Sequence, residues 1–268
     1  MEFDIELASY TDIGKIREKN EDSVIIAPEL CLGAVADGMG GHNAGEVASG
    51  IAVSILHQTI ADLNTKKVSI PKDFEPSLAP IQRKLLYAAS VANLRIYNLA
   101  MENYRRHGMG TTLSAIYIED QNNAAAVHIG DSRIYLMRDK KLTQISTDHS
   151  YVMEQVSRGI ITKEEAEKSR IQNVLTKALG LKKDMRCDTF PIFPRIGDKY
   201  MLCSDGVNKG IRDEQIGDIM CKPLSAGKMC QTIVKISAEL DGKDNVSCVV
   251  AKIVEKKEKS FLSKLFNK

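Results

Sequence analysis

The sequence lacks any apolar stretch near the ~20 residues that a membrane-spanning helix needs. Its N-terminus carries Glu2, Asp4 and Glu6 and has no long apolar core of the kind found in secretion signals. The six cysteines are scattered and show no zinc-site or redox spacing, which indicates reduced, buried thiols. We therefore expect a cytoplasmic protein.

Neither sign of charge predominates, because the sequence has 37 Lys and Arg residues and 35 Asp and Glu residues, giving a net charge of +2. Such a chain has no overall basic field that would recruit nucleic acid. The charge balance, together with the lack of a large exposed apolar motif, favours a monomer.

Several motifs of phosphate and hydrolytic enzymes are missing as well. No cysteine is followed by arginine six residues later, which disfavours a cysteine-phosphatase loop. Neither a G-x-x-x-x-G-K-[ST] string nor an H-E-x-x-H string occurs, which excludes P-loop ATPases and GTPases and zincin proteases. The glycine-rich residues 38–41 follow an aspartate and have the wrong spacing for dinucleotide binding.

The order of apolar patterns predicts an α+β fold. Two helical faces flank a polar segment, residues 64–80, which contains three prolines. Short apolar runs at 113–118, 124–129 and 134–137 predict strands in an antiparallel meander. Further strands and two helices follow, at 213–221 and 225–239. Two mostly antiparallel sheets facing each other, with helices outside, would form a four-layer α-β-β-α sandwich.

Acidic residues recur where apolar runs begin or end. Asp37 follows the run 31–36, Asp131 follows 124–129, Asp205 follows 200–204, and Asp244 precedes 246–250. One Asp-Gly pair is most often a turn, but four aspartates in this setting indicate a site. Clustered carboxylates repel unless cations neutralise them, and oxygen-only ligands favour Mg²⁺ or Mn²⁺. Two such ions about 3.5–4 Å apart can activate water for displacement at phosphorus.

Seven short motifs occur together with these aspartates. They are residues 14–22, 37–42, 108–112, 130–133, 173–180, 204–206 and 244–245. In these motifs, their order and their spacing, the chain resembles the metal-dependent type-2C (PPM/PP2C) serine/threonine protein phosphatases, compact bacterial branch. The resemblance covers the chain from about residue 6 to 254.

The resemblance implies a role for each residue of the metal centre. Asp37 would bridge two ions, Mn²⁺ or Mg²⁺, and the Gly38 carbonyl would complete the coordination of one of them. Asp205 and Asp244 would hold the other ion.

Four further roles follow from the same resemblance. Glu21 and Asp22 would act mainly through metal-bound water. Asp131, with Asp205, would bind a third and looser ion. Arg17 would grip the substrate phosphate, which suits the guanidinium fork.

The implied reaction is hydrolysis of phosphoserine or phosphothreonine by a metal-bridging hydroxide, without a phosphoenzyme. Arg17 and the ions would stabilise the equatorial oxygens. Met39 stands where many eukaryotic members have a histidine that is a proposed general acid. The acid is therefore unassigned, with His42 and a metal-bound water as candidates.

The resemblance also organises the chain. Residues 1–254 would form the catalytic domain, in which residues 148–180 match a mobile flap that gates the site or selects substrates. Residues 255–268 form a charged, amphipathic tail, which either docks on a membrane surface or a partner or is frayed.

Similarity implies a bacterial Ser/Thr kinase as the partner whose signal the protein reverses. Two alternatives stay open from the sequence. One is a catalytically inactive phosphatase-like binding module, although all the metal carboxylates are present. The other is a dedicated sensor phosphatase acting on one regulator, which would share the chemistry and differ only in substrate.

Overall fold

The computed structural model describes residues 3–40 and 44–256. Its strands are β1 (Phe3–Asp12), β2 (Asp22–Ala27), β3 (Leu32–Met39), β4 (Gly110–Thr111), β5 (Leu113–Ile118), β6 (Ala124–Ile129), β7 (Arg133–Arg138), β8 (Lys141–Gln144), β9 (Asp188–Pro191), β10 (Lys199–Cys203) and β11 (Val246–Glu255). Its helices are α1 (Ala44–Asn64), α2 (Pro80–Glu102), α3 (Tyr151–Ser157), α4 (Lys163–Glu167), α5 (Asp205–Gly210), α6 (Asp213–Cys221) and α7 (Ala226–Leu240), with a 3-10 turn at Tyr104–Arg106.

The strands form two sheets. One has the order β1-β11-β10-β7-β8, and the other has the order β2-β3-β5-β6-β9 with β4 added beside β3. The strand pairs of both sheets are antiparallel. Asp22 lies opposite Asp37 in one sheet, and Cys203 lies opposite Cys248 in the other. The register thus pairs two acidic residues in one sheet and fixes the strand end just before Asp205 in the other.

Three apolar clusters separate four layers. Alternate residues of β3 point to opposite sides, with Ala34 and Ala36 under α1 and α2 and Val35 between the sheets. Strand β11 alternates in the same way, with Val250 towards α7 and Val249 towards the other sheet. The predicted four-layer α-β-β-α sandwich is confirmed.

The helices form where the sequence patterns favour them. Helix α1 buries a residue every four positions, at Ala48, Ala52, Leu56 and Ile60. Helix α2 begins at Pro80, a residue suited to a first helical position because it needs no amide hydrogen there. Ser225 caps α7, because its side chain accepts a 3.2 Å hydrogen bond from the Lys228 amide.

The predicted meander is wrong. Strands β5 and β6 pair with each other, but β7 belongs to the opposite sheet, between β10 and β8. The chain crosses between the sheets at residues 130–132. Gly130 permits this turn, since its φ is 103° and a Cβ there would lie 2.5 Å from the Thr112 side chain. The crossing places Asp131 between the sheets' ends.

Residues 148–180 contain two short helices, α3 and α4. Thr162 and Glu165 form a reciprocal capping box at the start of α4. Of the tail at 255–268, residues 257–268 lie outside the described residues. Within residues 3–40 and 44–256, no helix is both long enough and apolar enough to cross a bilayer.

Candidate metal centre and active site

Asp22 and Asp37 are neighbours across the β2–β3 ladder. The Asp37 amide donates to Thr112 Oγ1 at 2.9 Å, and Thr111 Oγ1 donates to the Asp37 carbonyl at 2.9 Å. Ser204 Oγ donates to Asp22 Oδ2 at 2.7 Å from the other sheet. The backbone of Asp37 is therefore fixed, and Asp22 is tied to the segment that carries Asp205.

Gly38 is required by close packing rather than by an unusual φ. A Cβ on Gly38 would lie 2.1 Å from the Gly45 carbonyl oxygen and 2.7 Å from the Glu21 carbonyl oxygen. The Gly38 amide donates to that same Glu21 oxygen at 3.1 Å. Three backbone segments thus meet next to Asp37, near the end of β3, and any residue larger than glycine would prevent this.

Asp205 and Asp244 approach each other through a shared cation. Lys209 Nζ forms an ion pair with Asp205 Oδ2 and lies 3.0 Å from Asp244 Oδ2. Arg17 binds the other Asp244 oxygen, with 2.8 Å from its terminal nitrogen to Oδ1. The Arg17 side chain is 48% exposed, so it stands at the rim with its remaining donors accessible to a ligand.

Two carboxylate oxygens in this cluster have no partner. Asp22 Oδ1 and Asp205 Oδ1 are both buried and accept no hydrogen bond from any residue that the structure describes. A buried, unsatisfied carboxylate oxygen is costly, and a cation is the partner that satisfies it best.

The electrostatics point the same way. Burial, followed by repulsion from Asp205 and Asp244, raises the pKa of Asp22 to about 7, against the hydrogen bond from Ser204. Burial and repulsion from Asp22 and Asp205 raise the pKa of Asp37 well above its ordinary value. Several carboxylates packed this closely cannot all ionise without added positive charge.

Asp131, Asp205 and Glu21 extend this pattern. Burial, then repulsion from Asp205 and Asp148, raises the pKa of Asp131 to about 7. Burial also raises the pKa of Asp205, although Lys209 opposes the shift. Burial raises the pKa of Glu21 too, against attraction from Arg17. The residues singled out from the sequence therefore share one electrostatic environment.

The described acidic side chains are not arranged around a common metal position. Throughout residues 3–40 and 44–256, no group of three His, Cys, Asp or Glu side chains is already arranged to hold an ion. Two of the carboxylates, on Asp205 and Asp244, are paired with the ammonium group of Lys209. The donor set, all oxygen, and the two unsatisfied oxygens fit a hard divalent cation.

The comparisons with known proteins agree with this chemistry. The family model described as protein phosphatase 2C matches residues 19–242. The chain belongs to the protein phosphatase 2C family. Because that match spans most of the chain, the family resemblance inferred from the motifs is confirmed.

Relatives of this phosphatase 2C chain include two curated bacterial proteins. Protein phosphatase PhpP of Streptococcus pneumoniae is 32% identical over 254 residues, covering 94% of this chain and 98% of PhpP. Serine/threonine protein phosphatase PstP of Mycobacterium tuberculosis is 37% identical over 248 residues, covering 92% of this chain and 45% of PstP.

A solved structure gives the same result. The catalytic domain of PstP in complex with two manganese ions superposes with a TM-score of 0.80 and 34% identity, covering 94% of this chain and 99% of that one. These likenesses support an active, metal-dependent phosphatase over an inactive binding module.

Two residues of this phosphatase 2C chain were missed in the sequence analysis. The sequence could have indicated Lys209, because it follows Asp205 by four residues, which is the spacing of an ion pair on a helix. Asn245 was noted only as part of a motif. Its Oδ1 accepts from the Glu21 amide at 2.8 Å, and its Nδ2 donates to the Ile13 and Lys19 carbonyls at 2.9 Å each.

The start of segment 148–180 contacts the turn that carries Asp131. Arg133 binds Asp148 bidentately, with contacts of 2.8 to 3.1 Å. His149 Nδ1 accepts from the Gly130 amide at 3.1 Å, and Nε2 lies 3.1 Å from Asp188 Oδ2. His42 lies outside the described residues.

Proposed function

We propose that this chain is a metal-dependent protein phosphatase that hydrolyses phosphoserine and phosphothreonine. The observation that carries the proposal is the carboxylate cluster with two buried, unpartnered oxygens, on Asp22 and Asp205, beside the exposed guanidinium of Arg17. Such a cluster recruits divalent cations, and Arg17 supplies a fork that matches phosphate oxygens. The named phosphatase activities of PhpP and PstP support the same conclusion.

The proposed metal ligands are those of the sequence analysis. Asp37 and the Gly38 carbonyl would hold one ion, and Asp37, Asp205 and Asp244 would hold the second. When bound, divalent ions would supply Lewis-acid charge and lower the pKa of a water that serves as the nucleophile. The Mn²⁺ complex of PstP makes manganese the first ion to test.

The remaining acidic residues would act around this pair of ions. Glu21 and Asp22 would act mainly through metal-bound water. Ser204 orients the Asp22 carboxylate, and Asn245 accepts a hydrogen bond from the Glu21 backbone amide. Asp131, together with Asp205, would hold a third ion, consistent with their mutual repulsion in its absence.

Arg17 would position the substrate. Its Nε donates to the Lys243 carbonyl at 3.3 Å and one terminal nitrogen binds Asp244, so the guanidinium plane is held near the cluster. The other terminal nitrogen is left to bind an equatorial phosphate oxygen, where charge accumulates in a loose transition state. This role makes Arg17 a substrate-binding and catalytic residue.

The proposal extends to organisation and setting. Residues 1–254 would be the catalytic domain, with 148–180 as a flap over the site and 255–268 as a tail outside it. The partners would be a cognate bacterial Ser/Thr kinase and its phosphorylated substrates. We propose a cytoplasmic monomer, a setting consistent with six free cysteines and a balanced charge.

The decisive experiment measures phosphate release from a phosphothreonine peptide with Mn²⁺, with Mg²⁺ and with EDTA. Asp37→Asn is assayed beside Asp139→Asn, which removes the same charge from an exposed turn outside the site. Release that requires a metal and Asp37, but not Asp139, supports the proposal. Release by Asp37→Asn at the wild-type rate contradicts the metal centre, and no release from folded protein in any metal favours a binding module.

A further inference from the structure

Lys209 occupies the carboxylates that are proposed to hold the second ion. It lies on α5, one turn after Asp205, and its Nζ contacts one oxygen of Asp205 and one of Asp244. Its side chain is only 27% exposed, so the ammonium is held inside the cluster rather than at the surface. Its two ion pairs place one positive charge between two carboxylates.

Asp244 has both of its oxygens engaged. Oδ2 accepts from Lys209, while Oδ1 accepts from Arg17 at 2.8 Å and from the Asn245 amide at 3.0 Å. An ion that binds Asp244 Oδ2 would lie beside the Lys209 ammonium and be repelled by its charge. Of these donors, Lys209 is the one whose removal also frees Asp205 Oδ2, adjacent to the unpartnered Oδ1.

The Asp37 side of the cluster is different. In the described part of the chain, no lysine or arginine forms an ion pair with Asp37 or with Asp22. An ion can therefore bind there without displacing a cation from the protein. Lys209 therefore neutralises carboxylates at only one of the two proposed metal positions.

We propose that Lys209 is a built-in counter-cation for Asp205 and Asp244 that a divalent ion must displace to occupy the second metal position. This inference rests on the proposed function, since it concerns the same site. Lys209 keeps its proton and turns outward, while two carboxylates exchange one ammonium for one doubly charged ion. The second ion therefore binds more weakly than the first, and its occupancy follows the concentration of divalent metal.

Calorimetric titration of metal-stripped protein with Mn²⁺ tests this directly. Lys209→Met and Lys209→Gln both remove the charge, and the glutamine keeps hydrogen-bond donors in the cluster. We expect the dissociation constant of the second Mn²⁺ to fall about tenfold or more in both variants, because the competing bound state is lost. The first constant should stay within about twofold of wild type.

Lys243→Met is the matched control. Lys243 carries the same charge and neighbours Asp244 in sequence, but its side chain is 73% exposed and pairs with Asp241. This variant should leave both constants unchanged. If it tightens Mn²⁺ as much as the Lys209 variants do, overall charge rather than displacement explains the effect, and the proposal is overturned.

Thermal unfolding and lysine labelling give readouts that do not depend on turnover. In EDTA, the Lys209 variants should melt below wild type, and saturating Mn²⁺ should remove the difference. On wild-type protein, the rate of Lys209 acetylation, measured by mass spectrometry, should rise when Mn²⁺ is added. This measurement covers the case in which a variant fails to fold without metal.

Failures of the two proposals look different. If wild type binds no Mn²⁺, the proposed function fails and the Lys209 inference with it. If wild type binds Mn²⁺ but the dissociation constant of the second Mn²⁺ is unchanged or higher in both Lys209 variants, only the inference fails. An acetylation rate that is unaffected by Mn²⁺ overturns it as well.

Discussion

Ser204 Oγ donates a 2.7 Å hydrogen bond to Asp22 Oδ2 and so joins the two sheets at their acidic end. Ser204 is fully buried and in turn accepts from the Ser247 amide at 3.0 Å. The bond holds the strand that carries Asp22 against the turn that leads into Asp205. One hydroxyl thereby fixes the spacing between two halves of the carboxylate cluster.

Ser204→Ala should destabilise the metal-free protein by about 1–3 kcal/mol. Asp22 Oδ1 has no hydrogen-bond partner among the described residues, and this substitution would remove the Ser204 hydrogen bond from Oδ2. Urea unfolding in EDTA measures the effect. The control is a double-mutant cycle with Asp22→Ala, in which the effect of Ser204→Ala should shrink by at least about 1 kcal/mol. Strict additivity would show that the hydrogen bond contributes nothing.

Stability of the metal-free protein should depend on pH in an unusual direction. The pKa values of Asp22 and Asp131 are about 7 in the fold and 3.8 in an unperturbed chain. Between these values the folded state binds more protons than the unfolded state, so folding loses stability as pH rises from about 4 to about 7. We expect a lower melting temperature in EDTA at pH 8 than at pH 5.

A buried histidine works in the opposite sense. Burial lowers the pKa of His128 to about 4, so His128 favours folding as pH rises through this range. Asp22→Asn tests this, because it removes one of the raised carboxylates and leaves His128, so the loss of stability between pH 5 and pH 8 should become smaller. Saturating Mn²⁺ should abolish the loss at pH 8. A melting temperature in EDTA that rises steadily from pH 5 to pH 8, with the same slope in Asp22→Asn, would contradict this prediction.

The sequence was sufficient to predict the four layers and to single out most of the acidic residues of the carboxylate cluster. The short apolar runs 113–118 and 124–129 match β5 and β6. Both strands are buried along their whole length, and a short, continuous apolar run is typical of such a strand. It was not sufficient for the sheet to which β7 belongs. Strands buried on both faces carry no signal of which neighbour they pair with, so the crossing at Gly130 was missed.

The interactions within the site were also hidden. Asp205 and Asp244 were identified as acidic residues at strand ends, but their shared contact with Lys209 depends on the tertiary pairing of β10 with β11. Asn245 is similar, since its partners lie more than 200 residues away in sequence. Local patterns identify which residues are unusual, whereas long-range geometry decides what they contact.

Asn245→Ala should impair substrate use through the loop that carries Arg17. The Asn245 side chain makes three hydrogen bonds to the backbone of residues 13, 19 and 21, and its removal leaves those groups unpaired. We expect kcat/KM to fall roughly 10–100-fold, as for other residues that orient a binding group. The free energy of unfolding should fall by about 1–3 kcal/mol.

Asn123→Ala is the control for Asn245→Ala. Asn123 makes its side-chain hydrogen bond to Asp120 in a turn between β5 and β6, and not to the Arg17 loop. This variant should leave kcat/KM unchanged. If Asn245→Ala also kept its wild-type kcat/KM, the loop would not need Asn245 to position Arg17.

Arg17→Ala should mainly weaken the use of small phosphate esters. A small ester offers the site little beyond its phosphate, so the lost guanidinium contact has nothing to replace it, and kcat/KM should fall roughly 100-fold. A phosphoprotein makes further contacts and should lose less. Arg17→Lys keeps the charge but not the fork, and should recover only part of the loss. Equal losses for both substrate types, together with full recovery by lysine, would mean that Arg17 acts through its charge on Asp244 rather than by gripping the phosphate.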